Sequence, residues 1–143
     1  AHLADQWNAS VMYTLYSELP ADNHSHLFPP ARVPMLTAVL DELSALKARR
    51  PSLIANTQWY FDMIPTYVSG TIIEGCTAGK KTLHISPQGM VRPCAELTPV
   101  AHYSQYDHRA AAPVTCTRCF QACRGEVQAP ITLRRVVEVL RAG

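Results

Sequence analysis

Five cysteines carry the chemistry open to this chain, and their spacing narrows it. Cys116-Thr117-Arg118-Cys119 is a C-x2-C pair, and Cys123 follows at C-x3-C. Upstream, Cys76 and Cys94 frame Gly89 as C-x12-G-x4-C. An odd count with three thiols crowded together suits a disulfide framework poorly, and a chain of this size with periodic helices does not need such staples. Clustered thiols point instead to a metal. A C-x2-C knuckle lets two thiolates converge while backbone N–H groups turn toward the sulfurs, which stabilises their charge. Alone it is a weak signal. With Cys76 and Cys94 it supplies four thiolates, the usual set for a [4Fe–4S] cluster or a structural zinc, and ligand count does not separate those two. The metal would replace part of the core that a small domain lacks.

The elements that must position these thiols are also legible. Residues 82–86 and 90–94 read as strands joined through Pro87-Gln88-Gly89, a hairpin signal. Residues 98–115 are loop-like. Pro130 opens a helix whose Leu133, Val136, Val137 and Leu140 form an apolar face, with Arg134, Arg135, Glu138 and Arg141 mostly opposite.

Before Gly70 the pattern is different. Residues 11–18, aromatic and β-branched, predict a strand, and a polar loop with His24 and His26 follows to Pro30. An amphipathic helix spans about 31–49, with Leu36, Val39, Leu40, Leu43 and Leu46 on one face and Pro51 as its stop. Residues 52–56 read as a short strand, and Thr57 caps a helix to about Val68. Tyr60, Met63, Ile64 and Tyr67 are its buried stripe, Pro65 its kink and Gly70 its end. Strand, helix, strand, helix is the grammar of a parallel βα layer. Two strands cannot close a barrel or complete a sheet, so residues 1–70 read as the tail of a larger βα domain.

The motif-bearing half, residues 76–126, with Cys76-Thr-Ala-Gly, Leu83-His-Ile-Ser-Pro-Gln-Gly-Met-Val-Arg-Pro-Cys94, Cys116-Thr-Arg-Cys119 and Cys123-Arg-Gly-Glu, resembles the SPASM/Twitch C-terminal domains of radical SAM enzymes. Residues 53–70 resemble the last βα unit of that family's partial barrel. The resemblance implies an α/β plus α+β chain in three parts. Residues 1–70 would be the last βα units of a partial (βα) barrel and 71–128 a Twitch-like cluster domain with a β-hairpin. Residues 129–143 would form a C-terminal helix. It implies an auxiliary [4Fe–4S] cluster on Cys76, Cys94, Cys116 and Cys119, with Cys123 spare, in place of Cys119, or part of a partner's site. The cluster would support electron transfer or anchor a peptide or small-molecule substrate.

Two departures qualify the resemblance. The radical-generating C-x3-C-x2-C signature is absent, since residues 116–123 run in the reverse order, C-x2-C-x3-C, at the wrong end of the chain. Cleavage of S-adenosylmethionine is therefore not expected from this chain without the remaining barrel or a partner subunit, and the resemblance implies part of a radical SAM oxidoreductase- or transferase-type enzyme. A full SPASM domain also holds two clusters, for which five cysteines are too few. The rival reading is a structural zinc module that mediates protein contacts; a free-standing ferredoxin-like carrier fits residues 1–70 poorly.

Other residues have plainer roles. His24, His26, His84, His102 and His108 read as solvated or outward-facing. Glu18 and Asn56 end their strands, where open βα sheets place ligand contacts, or else cap the loops that follow. Arg124 and Glu126 would shield cluster charge or pair with each other, and the aromatic residues of 57–67 are expected in the core. A content of 48% hydrophobic and 17% charged residues is that of a globular chain. A net charge of +2, with basic residues scattered and Arg49-Arg50 and Lys80-Lys81 pairs and not patches, argues against a nucleic-acid footprint. No apolar run reaches the roughly 18 residues a membrane span needs. A cytoplasmic, reducing setting is expected, with no secretory signal read at the start. The chain opens on Ala1-His2 without a Met and reads as a fragment or processed form of a longer protein.

Overall fold

The computed structural model describes residues 2–19, 21–109 and 114–142. Its elements are α1 (His2–Gln6), α2 (Val33–Arg49), α3 (Gln58–Val68), β1 (His84–Ile85), β2 (Met90–Arg92), β3 (Ala101–His102), α4 (Ala122–Gln128) and α5 (Leu133–Ala142). Short 3₁₀ turns at Pro30–Arg32 and Tyr103–Gln105 lead into α2 and follow β3.

Helix α3 is the centre of the molecule. Thr57 is its N-cap, its side chain accepting from the Tyr60 N–H, and Pro65 lies inside it. Tyr60, Phe61, Ile64 and Val68 are buried along it. They pack with Leu40 of α2, with Leu53 and Ile54, and with Ile73, Phe120 and Ala122 from beyond Gly70. Residues on both sides of Gly70 therefore share one core.

The two upstream strands are much shorter than their sequence suggests. They reduce to a single parallel bridge, Val11 with Ile54. The Val11 N–H donates to Leu53 O at 2.8 Å and the Ala55 N–H to Val11 O at 3.0 Å. The chain then turns at Thr57 into α3, so no second backbone rung can form. Asn56 supplies that rung from its side chain. Its Oδ1 accepts from the Tyr13 N–H at 2.7 Å and its Nδ2 donates to Tyr13 O at 2.9 Å. Asn56 is fully buried, and its amide is engaged by Tyr13 and, at 3.5 Å, by Glu126 Oε1, so it caps this pairing instead of facing a ligand.

Downstream, β1, β2 and β3 form an antiparallel sheet in that order, with Ile85 opposite Val91 and Val91 opposite Ala101. The hairpin forms where it is expected, though with strands of two and three residues. The third strand and helix α4 lie in stretches that carry no periodicity long enough to announce them. Gly89 closes the hairpin at φ +77°, and a Cβ there would fall 2.5 Å from His102 Nε2 and 2.8 Å from Tyr103 Cδ1. The glycine of C-x12-G-x4-C is thus required twice, by its backbone angle and by β3.

Helix α5 forms, but turned the other way. Leu133, Val136, Val137 and Leu140 are exposed, and the helix is held instead through Arg135 and Glu138.

Helix α4 meets α3 through Gly125, where a Cβ would stand 2.2 Å from Tyr60 Cδ2 and 2.7 Å from Cε2. The ring cannot retreat, because its hydroxyl donates to Phe120 O at 3.1 Å and accepts from the Leu15 N–H at 3.2 Å. An alanine would gain about 1 kcal/mol of helix propensity, but overpacking in a core costs about 1–3 kcal/mol, more where the neighbour is fixed. The clash wins. Gly125→Ala is expected to lower the melting temperature by at least about 4 °C; an unchanged or raised value in a thermal melt would contradict this packing.

Candidate metal centre

The Cys76 loop begins where α3 ends. Ile73 is buried in the core, and its carbonyl and that of Glu74 are taken by side chains of α4: Arg124 donates to Ile73 O, and Gln128 Nε2 donates to Glu74 O at 2.7 Å. Beyond Cys76 the chain turns back on itself, with Lys80 and Lys81 N–H groups donating to Thr77 O. The Gly79 N–H reaches both Thr82 O at 2.8 Å and Pro93 O at 3.1 Å. A Cβ on Gly79 would lie 3.3 Å from Pro93 Cβ and 3.8 Å from Val114 Cγ2. The loop after Cys76 is therefore wedged between the residue before Cys94 and the approach to Cys116.

Cys94 lies just beyond the second hairpin strand in a tight turn, with the Leu97 N–H on its carbonyl at 3.3 Å. Burial pushes its thiol pKa up, the backbone N–H groups of Glu96 and Leu97 pull it down, and the nearby Cys76 thiol adds to the rise. N–H groups placed in this way stabilise thiolate charge. Glu96 Oε1 accepts from Gln121 Nε2 at 2.9 Å, tying this turn to the segment after the knuckle. Glu96 Oε2 and Arg92 Nε, on either side of Cys94, are buried without a hydrogen-bond partner among the described residues.

The knuckle itself is fastened from below and from the side. Phe120, directly after Cys119, is fully buried, with its ring 5.3 Å from Tyr60, 5.6 Å from Tyr67 and 6.1 Å from Trp59. Arg118, inside the knuckle, donates from Nε (3.0 Å) and Nη2 (2.7 Å) to Glu18 Oε1 and from Nη2 to Asp22 at 3.2 Å. His24 Nδ1 lies 2.9 Å from the other Glu18 oxygen. Glu18 thus works on the cysteine knuckle from the end of the predicted first strand. Arg124 does not pair with Glu126. It donates to Cys119 O, while Glu126 Oε1 accepts from the Thr57 N–H at 2.9 Å. Burial raises the Cys119 thiol pKa, the Gln121 N–H and the Arg124 charge lower it, and Cys116 raises it again.

Cys76 thus lies near enough to bear electrostatically on Cys94, and Cys116 on Cys119, which groups four thiols as two pairs on segments tied by hydrogen bonds. All five are free thiols. Cys123 differs from the rest: it is exposed on α4, with Sγ 3.9 Å from Gln121 Oε1. Among the described residues, no three His, Cys, Asp or Glu side chains converge closely enough to hold a metal ion. The donor chemistry fits a tetrathiolate centre, and so do the amides around Cys94 and Cys119. The pairs are not closed into a ring. His84 and His108 are exposed, His26 lies edge-on to Tyr16, and His102 Nδ1 is engaged by Ser104 Oγ at 2.8 Å. Sequence reasoning missed Gln121, Phe120 and the bridging role of Arg124, because none belongs to a spacing pattern. The fully buried side chains of Phe120 and Tyr60 carry no signal beyond hydrophobicity.

This arrangement orders the thiols by reactivity. Alkylation of the reduced, metal-free chain with iodoacetamide near neutral pH is expected to modify Cys123 first. Cys94 and Cys119 should lag, because raised pKa values leave little thiolate, and should accelerate as pH rises past the ordinary thiol range. Peptide mass spectrometry over time checks this order; prompt labelling of Cys119 would overturn it.

No helix among the described residues is long and apolar enough to cross a membrane. In comparisons with known proteins, no protein-family model, no curated protein and no solved structure matches the chain.

Proposed function

We propose that this chain is the auxiliary cluster-binding region of a radical SAM enzyme, with a [4Fe–4S] cluster held by Cys76, Cys94, Cys116 and Cys119. The observation that carries the reading is the bracing of the two thiol pairs. Gly79 is wedged between Pro93 and Val114, Arg124 spans Ile73 and Cys119, and Gln121 reaches Glu96. On this reading residues 1–70 are the last βα units of a partial barrel and residues 71–128 a Twitch-like domain, in a cytoplasmic protein.

When bound, the cluster supplies one-electron chemistry or an iron site for a substrate group. The chain's own residues prepare for it. The amides of Glu96, Leu97 and Gln121 offset thiolate charge on Cys94 and Cys119, and Arg124 adds a positive charge beside Cys119. Closing the two pairs into one centre requires a shift of side chains and short loops, with the braced backbone as frame. Cys123, exposed and outside both pairs, supports its place as the spare. A structural zinc would use the same four thiolates. Colour separates the two, since a cluster-loaded protein is brown and a zinc-loaded one colourless.

Anaerobic reconstitution is expected to load about four iron and four sulfide per chain. Cys76→Ser, Cys94→Ser or Cys116→Ser should lose most of that content, while Cys123→Ser retains it. Iron and sulfide quantitation on the four variants checks the set, and full loading of the Cys76 or Cys94 variant would refute it. Incubated with S-adenosylmethionine and a reductant, the reconstituted chain should release no 5′-deoxyadenosine. Its five cysteines cannot supply both this centre and a three-cysteine cluster with an open iron. Catalytic release of that product would sink the assignment.

A further inference from the structure

Helix α5 is bound to the molecule by its polar side. Glu138 Oε1 accepts from the Gln58 N–H at 2.8 Å and lies 3.2 Å from Lys47 Nζ, so one carboxylate meets both the start of α3 and the end of α2. Arg135 donates to Glu126 O at 2.7 Å and to Ala129 O. The apolar side is left in water: Leu133 is 81% exposed, Leu140 76% and Val139 60%, and Ile131 just before the helix is 88% exposed. No α5 side chain belongs to the core cluster among the described residues. A helix this amphipathic ordinarily buries its apolar stripe. Here the half-buried carboxylate and guanidinium hold it in the opposite orientation, which leaves the stripe in water unless something covers it.

The surroundings select the cover. The apolar ridge is flanked by two grooves, of about 490 Å³ on the α2 side and about 740 Å³ on the α4 side. The charges free to act at their rims are positive. Arg134 and Arg141 line the first groove and Lys81 the second, and none of the three forms an ion pair among the described residues. The two carboxylates lining the grooves, Glu138 and Glu126, are engaged by Lys47 and by the N–H groups that open α3. A second copy would bring like charges together across such an interface. A flat lipid surface would leave the concave grooves on either side of the ridge unfilled.

We propose that the α5 ridge and its grooves are a docking surface for an amphipathic protein segment whose apolar side chains are flanked by Asp and Glu. The inference is independent of what the thiols hold. Its probe is a fluorescein-labelled synthetic helical peptide with Leu at i, i+3, i+4 and i+7 and Glu at the flanking positions, compared with the same peptide carrying Lys for Glu. The full chain is expected to bind the Glu peptide saturably and the Lys peptide at least ~10-fold more weakly. Leu140→Asp and Arg141→Glu should each weaken the Glu peptide by at least ~10-fold while leaving the melting temperature unchanged, since neither side chain touches the core. Fluorescence anisotropy reads both effects. Absence of saturable binding, or equal binding of the two peptides, overturns the proposal. So does a dimer in analytical ultracentrifugation that Leu140→Asp abolishes, which assigns the face to a second copy. Tighter binding to phosphatidylserine-containing vesicles than to the Glu peptide assigns it to a lipid surface and overturns the proposal equally.

Discussion

Phe120 sits among Trp59, Tyr60 and Tyr67 while its carbonyl takes the Tyr60 hydroxyl, and most of the remaining architecture depends on that contact. Aromatic pairs of this kind contribute about 0.5–1.5 kcal/mol each beyond the area they bury. The hydroxyl adds a constraint of position, because it also accepts from the Leu15 N–H. One phenol therefore holds the extended segment after Val11, the central helix and the residue after Cys119 at fixed distances. Gly125 lets α4 approach the same ring, so the knuckle and the helix that follows it share one anchor.

Away from that anchor the cysteine-bearing half has little apolar core. Its strands are two or three residues long, and Val91 is its fully buried hydrophobic residue in the sheet. Polar pins take over. Arg124, itself buried, ties Ile73 to Cys119, and Gln121 ties the α4 start to the Cys94 turn. A net hydrogen bond is worth about 1 kcal/mol, but a buried carbonyl left without its donor costs about 1–3 kcal/mol. The pins therefore matter less for the stability they add than for the arrangements they forbid.

The same logic governs the far end of the molecule. Lys47 and Glu138 are both largely buried, and Lys47 also donates to Ile54 O at 3.0 Å. Burying an ion pair yields little net stability once desolvation is counted. It does define orientation: with Glu138 at the start of α3, where the helix dipole favours a carboxylate, helix α5 has one rotational setting. That setting directs its leucines and valines outward.

Much of the local structure was determined by the sequence alone. Helices α2 and α3 follow from apolar periodicity and from Pro51, Thr57 and Gly70, since those signals act through the backbone of a few neighbouring residues. The hairpin follows from Pro87-Gln88-Gly89 for the same reason. What the tertiary structure decided lies between distant segments. The parallel pairing ends after one rung because Asn56 and Thr57 are claimed by Tyr13 and α3. Glu18 reaches the knuckle across 100 residues of chain, and Arg124 reaches Ile73 across 51. The outward face of α5 was also beyond periodicity, which finds an apolar stripe but not what meets it. A helix turns its polar side inward when buried partners for its charges already exist, and here those partners, the first N–H of α3 and Lys47, lie 80 and about 90 residues earlier in the chain.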